Sequence, residues 1–174
     1  MPQSPSQRLA SINDLLLYRL GRLSGVAGRM VVRLCEGGYG ITRREWAVVA
    51  QLYENGSLPP SVLAERMHRD RARTSRVLTS LIQKKLVLRT TPAHDRRSAI
   101  VGLTPEGRQL YDSLMPQVQA INSQILSALS PEEAQHFDAA LERLQARAEN
   151  LLAELSPDLP MANRRLGRAG KDGL

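Results

Sequence analysis

Aromatic residues are scarce: one tryptophan (Trp46), one phenylalanine (Phe137) and four tyrosines in 174 residues. So thin a supply predicts an aliphatic, Ala-rich core and favours helices over a β-sandwich. Cysteine is limited to Cys35, which excludes an internal disulfide. The histidines His68, His94 and His136 are too far apart for metal-ligand spacing, and no second cysteine is available for zinc. A Gly-rich phosphate loop is missing as well, so neither a metal, a cofactor nor an enzymatic activity is expected. No apolar run is long enough to span a bilayer, and the opening MPQSPSQR has no apolar centre of a secretory leader. A cytoplasmic protein of one domain is expected. No repeat of fixed period is found.

What is present is a foldable chain with an excess of positive charge. Hydrophobic residues make up 42% of it, enough to bury a core, and the net charge is +7. Such a balance points to an anionic partner, with nucleic acid ahead of a membrane surface.

Apolar residues Ile12, Leu16, Leu20, Leu23, Ala27, Met30 and Leu34 recur at steps of three and four, predicting one long helix that stops near Gly37-Gly38. Thr42 with Glu45 three residues on forms a capping box for a second helix, ending at Asn55-Gly56. Pro59-Pro60-Ser61 opens a short third helix, with Val62, Leu63, Ala64 and Met67 inward. Asp70 caps a fourth, from Arg71 to about Lys84, whose Thr74, Val77, Leu78 and Leu81 share one face. Two short β-prone runs, Leu86–Thr90 and Ala99–Leu103, flank the polar loop TPAHDRRS and predict a hairpin with a protruding tip. Thr104-Pro105-Glu106 starts a further helix striped by Leu110, Leu114, Val118, Ile121 and Ile125. Ser130 with Glu133 caps the last, striped by Phe137, Leu141, Leu144, Ala148, Leu151 and Leu155. After Pro157 no period survives, and a flexible basic tail is expected.

The order α-α-α-α-β-β-α-α, mainly α with a small hairpin, reads as a winged helix-turn-helix. Residues 42–104 would form the DNA-binding lobe. Residues 8–36 and 105–156 would form dimerisation helices, because their apolar stripes need a partner and a second copy is the economical one. Residues 157–174 would be the tail.

Charge supports that placement. Residues 61–100 hold ten Lys or Arg against Glu65, Asp70 and Asp95, so this segment alone matches the excess of the whole chain. With the fourth helix's apolar face inward, Arg73, Arg76 and Thr79 turn outward and Arg71 sits at the tip. An arginine fork there can read guanine in the major groove. Ser61, Ser75 and Thr79 suit phosphate oxygens. Arg96 and Arg97 at the hairpin tip can enter a minor groove, with Asp95 orienting an arginine. A non-specific, architectural DNA binder would carry the same charge.

The stretches ITRREWAVVAQL, LPPSVLAERMHRDRARTSRVLTSLIQKKLV and DRRSAIVGLTPEGR resemble the MarR family of multiple-antibiotic-resistance-type regulators, over roughly residues 10–155. Asp95-x-Arg97, an apolar strand and then Leu103-Thr104-Pro105-Glu106-Gly107 is the pattern most particular to that family. The resemblance implies a triangular homodimer on a palindrome with half-sites about one helical turn apart. It makes Arg71–Lys84 the recognition helix and Arg97 the wing-tip arginine. His68 and Lys85 stand where relatives usually have glycine, and Ala72-Arg73-Thr74 departs from a common Ser-Thr-Val, so the operator cannot be transferred.

The family resemblance also implies a repressor released by a small aromatic acid or phenol of hydroxybenzoate or hydroxynicotinate type. Tyr18, Arg19, Arg22, Tyr39, Trp46 and His68 are the candidate ligand contacts, cationic, donor or apolar as an aromatic acid requires. Some relatives sense peroxide through a first-helix cysteine, which leaves a redox switch at Cys35 as an alternative. A helix C-terminus disfavours its thiolate.

Overall fold

A computed structural model describes residues 11–91 and 99–160 of the chain. Six helices and one antiparallel hairpin follow in the expected order: α1 Leu16–Arg33, α2 Arg43–Asn55, α3 Pro60–Arg66, α4 Arg71–Gln83, β1 Val87–Thr90, β2 Ile100–Leu103, α5 Pro105–Leu126 and α6 Pro131–Leu155. They divide into two compact units, one running through Ile125 and the other starting at Leu126.

The first helix begins later than its periodicity predicts. Ser11 and Asp14 close a capping box around a separate short turn, Ile12–Asp14. Leu15 is then extended (ψ 129°), so the ladder cannot run through it. The expected stop near Gly37-Gly38 is made by one wide π-type turn, Leu34–Gly38, with the amide of Ile41 donating to the carbonyl of Cys35.

The caps fall where the sequence puts them, because each joins groups only two to four residues apart. Thr42 Oγ1 accepts from the Glu45 amide, and the Glu45 carboxylate accepts from the Thr42 amide. Asp70 accepts from the Arg73 amide at 3.1 Å. Ser130 and Glu133 repeat the capping box at α6.

Two tight turns where the family resemblance leads one to expect glycine are made here by other residues. His68 (φ 47°) and Lys85 (φ 59°) both adopt left-handed backbone. The first joins α3 to α4 and the second joins α4 to β1. As the sequence implies, the fold tolerates a side chain at either place, at a modest steric cost.

In the hairpin Val87 pairs with Leu103 and Thr90 with Ile100. Leu58, just before α3, adds an isolated bridge to Val101 through two 2.9 Å hydrogen bonds. The wing is thereby tied to the lobe beside the helix pair. Its tip, with Asp95, Arg96 and Arg97, lies outside the described residues.

The core of the first unit gathers Ile41, Val48, Val49, Leu52, Leu63, Leu81, Val87, Val101 and Leu114. Aliphatic side chains dominate as expected, but the core is not Ala-rich: Ala64 is the one buried alanine among the described residues. An aromatic stack takes up the volume instead. Tyr111 of α5 lies between Trp46 (centroids 5.3 Å) and Tyr53 (3.7 Å) of α2. Half of the scarce aromatics are therefore concentrated where α5 crosses α2, large flat surfaces filling a helix crossing that alanine would leave open.

Helices α1 and α6 carry the opposite feature. Val26 and Leu23 on α1, and Phe137, Leu141, Leu144 and Leu152 on α6, are large apolar residues exposed on this single chain.

Candidate nucleic-acid interface

The outward face of α4 follows from its inward one. Thr74, Leu78 and Leu81 are buried and Val77 half-buried, so Arg73, Arg76 and Thr79 emerge on the opposite side, with Arg71 and Ala72 at the N-terminal tip. All five are exposed, as are Ser75 and, near the start of α3, Ser61. Two of these side chains lie back along the helix. Thr79 donates to the Ser75 carbonyl at 3.0 Å, and Arg76 Nε leans toward the Ala72 carbonyl at 3.4 Å. Each must leave its carbonyl before it can bond a group outside the helix. Arg69, Lys85 and Arg89 extend the exposed positive surface around α4.

Lys84 is exposed as well, but its ammonium is tied into the lobe. Its ammonium donates to the Gly40 carbonyl at 2.8 Å and to Glu45 Oε2 at 2.9 Å. Glu45, 3% exposed, also accepts the Ser80 hydroxyl on Oε1 at 2.6 Å. Burial alone would raise the Glu45 pKa. Hydrogen bonds from Ser80, the Thr42 amide and Lys84 outweigh it and hold the carboxyl below the usual carboxylate range. Sequence reading finds Glu45 only as half of a capping box. Its partners Ser80 and Lys84 lie 35 and 39 positions away, beyond any local pattern.

Beside this network a groove of about 610 Å³ opens between α2 and α4. Its walls include Glu36, Glu45, Arg43, Arg44, Arg69, Arg76 and Ser80. Four arginines face two acids, so the groove favours an anion. None of the six ligand candidates named from the sequence lines it.

Those six are not gathered into one place by any described contact. Tyr18, Arg19 and Arg22 are exposed on the first half of α1. Trp46 is buried in the aromatic stack. Tyr39 donates to the Ser113 carbonyl at 3.1 Å and accepts from Gln117. His68 occupies the left-handed turn before α4.

Cys35 is fully buried in the π-type turn. Burial first, then the neighbouring Glu36, push its thiol pKa up against the opposing pull of Arg43. That is the reverse of what a reactive thiolate needs. No helix among the described residues is long and apolar enough to cross a membrane.

Comparison with known proteins agrees with this geometry. The MarR family pattern matches residues 41–99. The HTH-type transcriptional regulator FarR of Neisseria gonorrhoeae is 35% identical over 78 residues, 45% of this chain and 53% of that protein. The homoprotocatechuate degradative operon repressor of Escherichia coli is 32% identical over 87 residues, 50% of this chain and 59% of that protein. The chain thus spans a little over half the length of these curated relatives. A crystal structure of a MarR family transcriptional regulator from Silicibacter pomeroyi superposes with a TM-score of 0.66 at 27% identity, covering 79% of this chain and 92% of that one. The DNA complex of MepR from S. aureus shares the fold with a TM-score of 0.70 at 24% identity, covering 76% and 98%. Over residues 41–99 the sequence matches the MarR family, and the described residues share the winged helix-turn-helix fold of the MarR family regulator from Silicibacter pomeroyi.

Proposed function

We propose that the protein is a homodimeric, sequence-specific DNA-binding repressor, released from a palindromic operator by a small aromatic acid or phenol. The observation that carries the reading is α4 itself. It is a capped helix with a buried apolar face and with Arg71, Arg73 and Arg76 exposed on the other side. Each subunit would lay α4 in a major groove, with Arg73 and Arg76 at base edges and Ser61, Ser75 and Thr79 at phosphates. Arg97, with Arg96 beside it and Asp95 orienting it, would enter the neighbouring minor groove. The exposed apolar residues of α1 and α6 support a second copy as their cover.

An aromatic acid is supported by the E. coli relative, which by name represses an operon for degrading one. Guanidinium groups would hold its carboxylate. Arg19 and Arg22, with Tyr18, Tyr39, Trp46 and His68, are the contacts the family resemblance suggests. The groove with Arg43, Arg44 and Arg69 is the alternative place, where Arg76 would be shared between ligand and DNA. Either way release requires the ligand to prefer a state in which the two α4 helices no longer match one turn of DNA. A redox switch at Cys35 gains no support from its burial.

The deciding experiment is a salt-series binding titration on the DNA upstream of the protein's own gene, against scrambled duplex of equal length. Tight, site-preferring binding by a dimer is expected, weakening steeply with salt. Equal affinity for both duplexes would indicate an architectural binder. No binding to either would overturn the reading.

A further inference from the structure

The apolar contact between α4 and the lobe sets which face of the helix turns inward but holds its finer rotation only loosely. Leu78 and Leu81 bury against neighbours through forces without direction. Hydrogen bonds do have direction, and those linking the outer half of α4 to the α2 side of the lobe converge on Glu45. Its two carboxylate oxygens take three donors from different places in the fold: the Thr42 amide at 2.6 Å, the Ser80 hydroxyl at 2.6 Å and the Lys84 ammonium at 2.9 Å. The same ammonium reaches the Gly40 carbonyl in the loop before α2. Ser80 lies in the last turn of α4 and Lys84 caps its end, so the carboxylate grips that end of the helix at two points one turn apart. Ser80 is four positions beyond Arg76 and next to Thr79, so any rotation that these bonds resist would swing the exposed arginines along an arc.

Resting on the DNA-binding reading, we propose that Glu45 is a positioning residue of the interface. It sets the rotation of α4 and thereby which base edges Arg73 and Arg76 reach. The carboxylate touches no DNA itself, being buried beneath the helix. Loss of its grip should leave the positive surface in place and blur its aim. Non-specific affinity, which depends on charge, then changes much less than discrimination between sites, which depends on geometry.

The test uses the full-length protein and two duplex probes: the best site selected from a random-sequence pool by the wild type, and a scrambled duplex of equal length. Affinities for both are measured for wild type, Glu45→Gln, Ser80→Ala and Lys84→Met, with amide hydrogen exchange across α4. Expected are a roughly tenfold fall in the selected-to-scrambled ratio for Glu45→Gln, a smaller fall for the other two, and faster exchange in residues 76–83. Ser80→Ala keeps the Thr42 cap, so it carries the test if Glu45→Gln does not fold. An unchanged ratio in folded variants, or equal proportional losses on both probes, would overturn the positioning role. A wild type with no preferred site would overturn the DNA-reading function first, and the positioning role with it.

Discussion

Gly107 packs its bare α-carbon against the carbonyl oxygen of Leu86, so closely that a β-carbon would fall on that oxygen. The same carbonyl accepts the Thr104 amide at 3.2 Å. Thr104 in turn donates its hydroxyl to the Lys85 carbonyl at 2.8 Å and accepts the Gly107 amide at 3.0 Å. The Thr-Pro-Glu-Gly run therefore welds the end of the hairpin, the start of α5 and the chain leaving α4 into one junction.

Gly107→Ala should accordingly destabilise the fold, although alanine is the better helix former. Overpacking against backbone costs about 1–3 kcal/mol and exceeds the roughly 1 kcal/mol of helix propensity gained. Urea unfolding checks this, and a midpoint at or above that of the wild type would contradict it.

Lys85→Gly should act in the opposite sense. Lys85 holds φ 59°, where a β-carbon is strained and glycine is not. Replacement should add up to about 1 kcal/mol, reduced by the greater freedom glycine has in the unfolded chain. Lys85→Ala, which keeps the β-carbon, is the control and should not stabilise.

Glu45 gives stability a defined pH dependence. Its folded pKa is held below the unfolded value, so its contribution is present above the unfolded pKa of about 4.3. That contribution is lost as pH falls through the folded pKa. Between about pH 7 and pH 3 the stability difference between wild type and Glu45→Gln should shrink toward acid. A difference that stays constant with pH would show that the carboxylate is not ionised in its network.

Arg73 and Arg97 should separate base reading from electrostatics. Arg73→Ala should relax preference at one base pair by about 1–3 kcal/mol. Arg97→Ala should weaken binding to every duplex and lower the salt slope by about one. Quantitative titrations on single-substituted sites distinguish the two, and unchanged binding in both variants would contradict the docking.

Leu141→Glu with Leu144→Glu should abolish self-association if α6 is covered by a second copy. Both leucines are exposed on one chain, and burying two carboxylates against a partner's apolar face is prohibitive without pairing. Light scattering after size exclusion reads the mass directly. A variant that remains dimeric would move the interface elsewhere.

The sequence by itself determined what depends on neighbours a few residues apart. Thr42, Asp70 and Ser130 cap their helices as read, because a cap is closed within three residues. Thr74, Leu78 and Leu81 turn inward as read, because helical period alone puts them on one face, and that sends Arg73 and Arg76 outward. Tertiary structure decided what joins distant segments. Tyr111 shows nothing in its own helix's spacing of its place between Trp46 and Tyr53. Lys84 reads as one more surface charge until the fold brings it to Glu45. Ile12 belongs to the helical stripe, yet the Ser11–Asp14 capping box closes a separate turn around it and breaks the run. Local hydrogen bonds and periodicity are written in adjacent residues, whereas side-chain packing and the Glu45–Lys84 ion pair exist only after the chain has closed loops of thirty residues or more.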